Sequence, residues 1–331
     1  MPGSVTSAFC EQEDFEAALR AEGCLGLLIT GRGEFRAQLT QITLHRLRVS
    51  AAEERLSRIA FVAVPVDMIL MSFATGTSAL PTWGGIAVRT GEIVILGSGQ
   101  RLHARTEGVS RWGMIRLPVE DLTRYGRALT GAPFAVSSSV RCWRPPPAAG
   151  RELCQLHAAA IRMAQARPQA LVDAEAAHGL EQQLIYALVD CLSAGSAEEA
   201  TPVRHRHQDV MVRFEGLLQT RPSQNLTLKE ICTGLDVSER TLRTLCAEQL
   251  GMSPTGYLRL RRMSLVQRAL RRGDADAVTV SEAAMRQGFR SFGRFAADYR
   301  ALFGELPSVT LRRRLRAGMP VLARRRSHLR V

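Results

Sequence analysis

The sequence predicts an α+β chain of two unlike parts, a β-rich domain with a helical hairpin followed by an all-α domain made of a duplicated two-helix unit. Three observations carry this. Short apolar or alternating runs, separated by Gly, Pro, Ser and Thr, fill residues 24 to about 117. From Glu152 the apolar period becomes helical. Beyond Leu226 one supersecondary pattern occurs twice.

In the first part "CLGLLIT", "FRAQLTQITLHRLRVS", "IAFVAV", "DMILMSF", "GIAVRTGEIVIL" and "RWGMIRLP" read as strands at sandwich or barrel spacing. The most apolar stretch, "IAFVAVPVDMILMSF", is too short to span a bilayer and is broken by Pro65 and Asp67, so it reads as a buried strand pair. Asp14–Ala21 and Val119–Leu129 have short-helix patterns. "RCWRPPPAAG" stops regular structure, since successive prolines continue neither a helix nor a central strand. Leu153, Leu156, Ala160, Ile161 and Ala164, then Leu171, Leu180, Leu184, Leu188 and Cys191, mark a helical hairpin. Its apolar stripe either packs on its own domain or meets a second copy of the chain. "SAGSAEEATPVRHRH" reads as a polar linker. The expected organisation is therefore 1–147 β-rich domain, 151–194 hairpin and candidate dimerisation element, 195–207 linker, 208–308 helical domain and 309–331 disordered basic tail.

Charge separates the same two parts. The net charge is +13, and Lys229 is the only lysine. Residues 1–203 hold 19 Arg against 20 carboxylates, a net of −1, whereas residues 204–331 hold 25 basic groups against 11 acids, a net of +14. Such an imbalance calls for a polyanionic partner of the second part. The 7 cysteines are scattered, odd in number and without a C-x-x-C pair. They read as reduced thiols of a cytoplasmic protein rather than a disulfide framework or zinc site. No signal peptide pattern opens the chain.

The repeat is specific. Thr227 and Glu230 recur at Thr279 and Glu282, offset by 52, while Ser238, Leu242, Gly251 and Pro254 recur at Ser291, Phe295, Gly304 and Pro307, offset by 53. Each unit reads as helix, tight turn, helix. Thr227 or Thr279 caps the first helix, with Glu three residues on completing a capping box. A glycine in "GLD" or "GF" supplies the turn, and Ser238 or Ser291 caps the second helix. Leu242, Cys246 and Leu250 in one unit, and Phe295, Tyr299 and Phe303 in the other, pin that helix inward at spacing four.

With that face committed to core, the opposite face looks to solvent. It carries Ser238, Glu239, Arg240, Arg243 and Thr244 in the first unit and Arg290, Ser291, Phe292, Gly293, Arg294 and Ala297 in the second. Arg at the start of a helix in a DNA major groove can donate two bonds to guanine, and Thr or Ala can touch a thymine methyl. Between the units, Thr255–Arg272 reads as a rod of roughly 27 Å. Its Arg259, Arg261 and Arg262 are phosphate-contact candidates.

The pair of motifs resembles the DNA-binding domain of the AraC/XylS family of bacterial transcription regulators. The stretch "VTVSEAAMRQGFRSFGRFAADYRALFGELPS" carries the likeness best, which covers about Gln208 to Ser308. The resemblance implies seven helices in two halves joined by a central helix. It implies base contact by the positions of Arg240, Arg243, Thr244, Arg290, Gly293 and Arg294. It further implies double-stranded DNA as partner, RNA polymerase as a second, and a cupin-like N-terminal domain that binds a small effector or forms a homodimer. Two departures stand out: Cys246 replaces a bulkier apolar residue, and Gly293 with Ala297 leaves the second reading face poor in polar groups.

His45 and His103 are the only histidines of the β region, and neither H-x-H nor a two-histidine-carboxylate spacing occurs there. "GTGTS" and "GSGQ" lack the lysine of a phosphate loop. No catalytic set, metal site or cofactor site is expected. The alternative is a metabolite-binding or enzymatic N-terminal domain with an accessory DNA-binding part.

Overall fold

Alternation along the strands sorts the apolar side chains onto two faces, and those faces decide what packs where. The computed structural model describes residues 2–76, 81–132, 134, 140–198, 202–220, 226–272 and 279–317. In the β-rich domain Gly3–Phe9 (β1), Ala37–Thr43 (β3), Arg48–Glu54 (β4), Met68–Ala74 (β6), Ile93–Leu96 (β9), Ser110–Pro118 (β11), Arg141–Arg144 (β12) and Ser196–Glu198 (β13) form one antiparallel sheet, ordered β1-β3-β4-β11-β6-β9-β12-β13. Cys24–Ile29 (β2), Arg58–Ala63 (β5), Thr82–Trp83 (β7), Ile86–Ala87 (β8) and Arg101–Thr106 (β10) form the second, ordered β2-β5-β10-β7-β8.

Leu39, Leu70, Val94 and Met114 point between the sheets, where they meet Leu27, Ala60, Val62 and Leu102. Their neighbours Ile42, Met71, Ile93 and Ile115 point the other way, beneath Val119–Thr130 (α2), Pro147–Ala166 (α3) and Ala174–Ser193 (α4). The hairpin α3–α4 therefore packs its main stripe on its own domain. Short Gln12–Leu19 (α1) closes one end, with Phe15 fully buried.

The helical domain comprises Pro202–Thr220 (α5), Leu228–Leu235 (α6), Glu239–Leu250 (α7), Pro254–Arg272 (α8), Val280–Arg286 (α9), Phe292–Phe303 (α10) and Pro307–Ala317 (α11). Among the described residues these are seven helices, the number that the resemblance implies. Two cores divide them. Met211, Phe214, Ile231, Leu242, Leu245, Cys246 and Tyr257 hold the first half, and Met263, Val266, Leu270, Ala284, Phe295 and Tyr299 hold the second. Helix α8 serves both halves. Phe303, at the end of the aromatic stripe, is only partly buried.

Four expectations need correction. The stretch read as linker 195–207 is largely structured, since β13 adds an edge strand to β12 and α5 starts at Pro202. Residues 309–317 of the expected tail belong to α11, because Thr310 is buried and bonded to the Tyr299 hydroxyl at 2.9 Å; residues 318–331 lie outside the described residues. In the first unit the turn residue with positive φ is Asp236 (56°), while Gly234 stays inside α6; in the second it is Gly288 (77°). The single inserted residue of the repeat thus falls between Gly288 and Ser291. Lastly, Ser238 caps α7 by accepting from the Thr241 amide at 3.0 Å, but Ser291 makes no side-chain cap bond.

Candidate nucleic-acid interface

Both first helices start as their sequences require. Thr227 and Thr279 each accept the amide of the glutamate three residues on, and Glu230 and Glu282 each accept the threonine amide in return, which satisfies two orphan N–H groups per helix. The second helices, α7 and α10, are 12 residues long, or about 18 Å. Leu242 and Phe295 hold them from below. Cys246 is fully buried, and burial pushes its thiol up to about 12, so it behaves as a small apolar core residue.

Above that core the candidate reading residues are free of protein cover. Ser238, Glu239, Arg240, Arg243 and Thr244 are exposed on α7, and Arg290, Ser291, Gly293 and Arg294 are exposed on or just before α10. Arg243 donates to Glu239 at 3.0 Å, one turn away, which pre-orders its guanidinium. Both helices finish against the β-rich domain. α7 ends in the left-handed cap Gly251, where a Cβ would collide with the Arg105 guanidinium. α10 ends in the left-handed cap Gly304, whose Cβ position lies 3.9 Å from the Gly33 carbonyl carbon. Both C-terminal ends thus lie against the same body, and the exposed candidate residues lie toward the N-terminal ends of the helices.

The phosphate candidates fare differently. Arg261 is bonded to buried Glu215 and to the Leu218 carbonyl, Arg259 is ion-paired with Asp298, and Arg262 lies over the Phe289 ring at 5.6 Å. None points freely to solvent. The reason is the position of α8: from residue 256 to 271 every residue is at least partly buried against the two halves or the β-rich domain, although 42% of the Arg259 side chain stays exposed.

Sequence reading missed the domain interface, because its partners lie far apart in the chain. His103 on β10 faces outward, opposite in direction to its neighbours Leu102 and Ala104. Its Nε2 donates to Glu215 of α5 at 3.5 Å, Tyr257 of α8 donates to the same carboxylate at 2.9 Å, and Arg261 donates to its other oxygen. Burial would raise the Glu215 carboxyl, yet these donors hold it down to about 2. Leu28 and Ile59 add apolar contact beside them. A second set of contacts joins α1 to the other half. Glu16 pairs with Arg268, Glu11 with Arg271 and Arg313, and Glu13 with Arg272. Cavities of about 310 and 260 Å³ flank this seam, the larger between Phe35 and Phe303, the smaller between Phe61 and Leu265. The signal available in the sequence was the acidic row Glu11, Glu13 and Glu16, which matches the basic row Arg268, Arg271 and Arg272.

Among the described residues no group of three or more His, Cys, Asp or Glu could hold a metal ion, and no helix is long and apolar enough to cross a membrane.

Fold and interface together define a two-domain chain whose helical part presents a duplicated helix-turn-helix. Residues 231–313 match the family described as a helix-turn-helix domain. The chain is 40% identical over 102 residues to the XylDLEGF operon transcriptional activator 1 of Pseudomonas putida, covering 31% of each chain. It is 40% identical over 127 residues to activator 3 of the same operon in that organism, covering 38% of each. The matched stretch spans about a third of the length of these curated relatives. Among solved structures, the AraC-like transcriptional activator CuxR aligns with a TM-score of 0.43 at 14% identity, over 86% of this chain and 99% of that one. Residues 231–313 therefore form a helix-turn-helix domain, similar in sequence to part of these operon activators.

Proposed function

We propose that the chain is a sequence-specific DNA-binding transcription regulator whose two reading helices enter adjacent major grooves on one face of a duplex. One observation carries this reading: α7 and α10 share an anchored C-terminal side and bear exposed arginines at the opposite end. The 19-residue rod α8, about 28 Å long, is comparable with the ~34 Å groove repeat. Ser238, Glu239, Arg240, Arg243 and Thr244 then face bases or flanking phosphates in the first half, and Arg290, Ser291, Gly293 and Arg294 do so in the second. The β-rich domain, fused to both halves through the seam, is the element through which a small effector or a second copy of the chain would act, and RNA polymerase is the natural downstream partner. The site of action is the cytoplasm, where the DNA is. The described residues favour this over a catalytic N-terminal domain, since the buried carboxylates Glu54, Glu92 and Glu215 are each ion-paired with an arginine.

The test is binding of the full chain to an operator recovered by genomic footprinting, compared with random duplex. Arg243→Ala should weaken operator binding by ten- to a hundredfold while barely changing binding to random duplex. An equal loss on both would make Arg243 a phosphate contact, and no preference for any sequence would overturn the reading.

A further inference from the structure

The two reading helices are copies in backbone but not in surface chemistry. Superposed through the repeat offset, Glu239 corresponds to Phe292, Arg240 to Gly293, Arg243 to Ala296 and Thr244 to Ala297. The first face is thus ionic and hydrogen-bonding. The second has no polar side chain at those four positions.

Phe292 is the unusual member. It stands at the first residue of α10 with 40% of its surface exposed, while Phe289, three residues earlier, packs on the core of the second half. Phe292 is not part of that core. One residue on, Gly293 is open: a Cβ built there meets nothing within 4 Å. Ala297, one turn further along the same face, is exposed. A helix with such small side chains can bring its backbone close to base edges. The contact it then offers is apolar, and the apolar group on a major-groove edge is the thymine C5-methyl. Arg290 and Arg294 flank this patch with charge that can reach phosphates.

We infer that the second half of the chain recognises thymine methyl groups through Phe292, which stands at the start of a face left open by Gly293 and Ala297, whereas the first half reads by hydrogen bonds from Arg240 and Arg243. The inference rests on the DNA-binding reading above. It assigns the specificity of the second half-site to thymine-rich positions and makes Phe292 a specificity-determining residue.

Replacing thymine by deoxyuridine removes the methyl and leaves every hydrogen-bonding group of the base pair intact, so it isolates the contact. The full chain is titrated with its footprinted operator, thymine being replaced singly across both half-sites. At one or two positions of the second half-site the wild type should lose about fourfold in affinity per methyl. Phe292→Ala should lose that amount on the unmodified operator and show no further loss on the deoxyuridine operator. Phe292→Leu should keep the sensitivity. Since the ring is exposed, both variants are expected to fold as the wild type does, which their thermal unfolding checks. The idea fails if no thymine of the second half-site is sensitive, or if the sensitivity survives unchanged in Phe292→Ala. When that happens while Arg243→Ala still weakens operator binding selectively, this inference alone is wrong. When the wild type shows no operator preference at all, the underlying reading falls with it.

Discussion

His103 and Glu215 meet 3.5 Å apart with both side chains buried, although one belongs to a strand of the β-rich domain and the other to the first helix of the helical domain. A histidine–carboxylate contact across two domains, closed by Tyr257 and Arg261 of the central helix, ties the β-rich domain to the frame on which α7 is mounted.

That contact predicts a strong and direction-specific response to mutation and acid. Glu215→Ala leaves the Arg261 guanidinium buried without its partner, so unfolding in urea should show a loss of roughly 3–5 kcal/mol. Because the folded carboxyl lies below its ordinary value, its stabilisation is complete above about pH 4.5 and disappears as pH falls toward about 2. Glu215→Gln should lack that acid-linked component. A variant as stable as the wild type, with the same acid profile, would show that the seam is not held here.

His157 supplies a second pH dependence at higher pH. It is buried under Phe73, its Nε2 donates to the Ser50 carbonyl at 3.0 Å, and burial pushes its pKa down to about 4. The unfolded chain takes up this proton more readily, so the stability that the neutral ring contributes is complete above about pH 6.5 and is lost as pH falls toward 4. Between pH 7 and pH 5 this amounts to about 2 kcal/mol. His157→Gln should flatten the difference between urea midpoints measured at those two pH values.

The repeat is unequal at its caps, and the inequality can be measured. Ser238→Ala removes a cap bond and should cost about 1 kcal/mol, whereas Ser291→Ala removes none and should cost at most a few tenths. Equal losses in thermal unfolding would contradict the difference between the two caps.

The carboxylates of α1 should matter locally. Glu11→Gln combined with Glu16→Gln removes the pairs to Arg268, Arg271 and Arg313, and amide hydrogen exchange should quicken at the C-terminal end of α8 and in α11. Exchange in α6 and α7, which these pairs do not touch, should stay as it is. High salt should mimic the effect only in part, since Glu16 is buried.

The two-part architecture, the helix starts at Thr227 and Thr279, the buried stripe of Phe295 and Tyr299 and the exposed arginines of the reading faces were all legible in the sequence. Each follows from spacing within a few turns of one chain segment, where side-chain direction is fixed by backbone period. The fate of Arg259, Arg261 and Arg262 was not legible. Basic residues on a helix look alike in a sequence whether they meet phosphate, water or a carboxylate brought in from elsewhere. Only the tertiary structure decided that α8 packs against both halves and the β-rich domain, that Glu215 claims Arg261, and that Glu11 just before α1 and Glu16 within it draw in the arginines at the end of α8. Those pairings join residues up to 260 positions apart, as in Glu11 and Arg271, and no local pattern constrains a contact whose partner is set by how two domains dock.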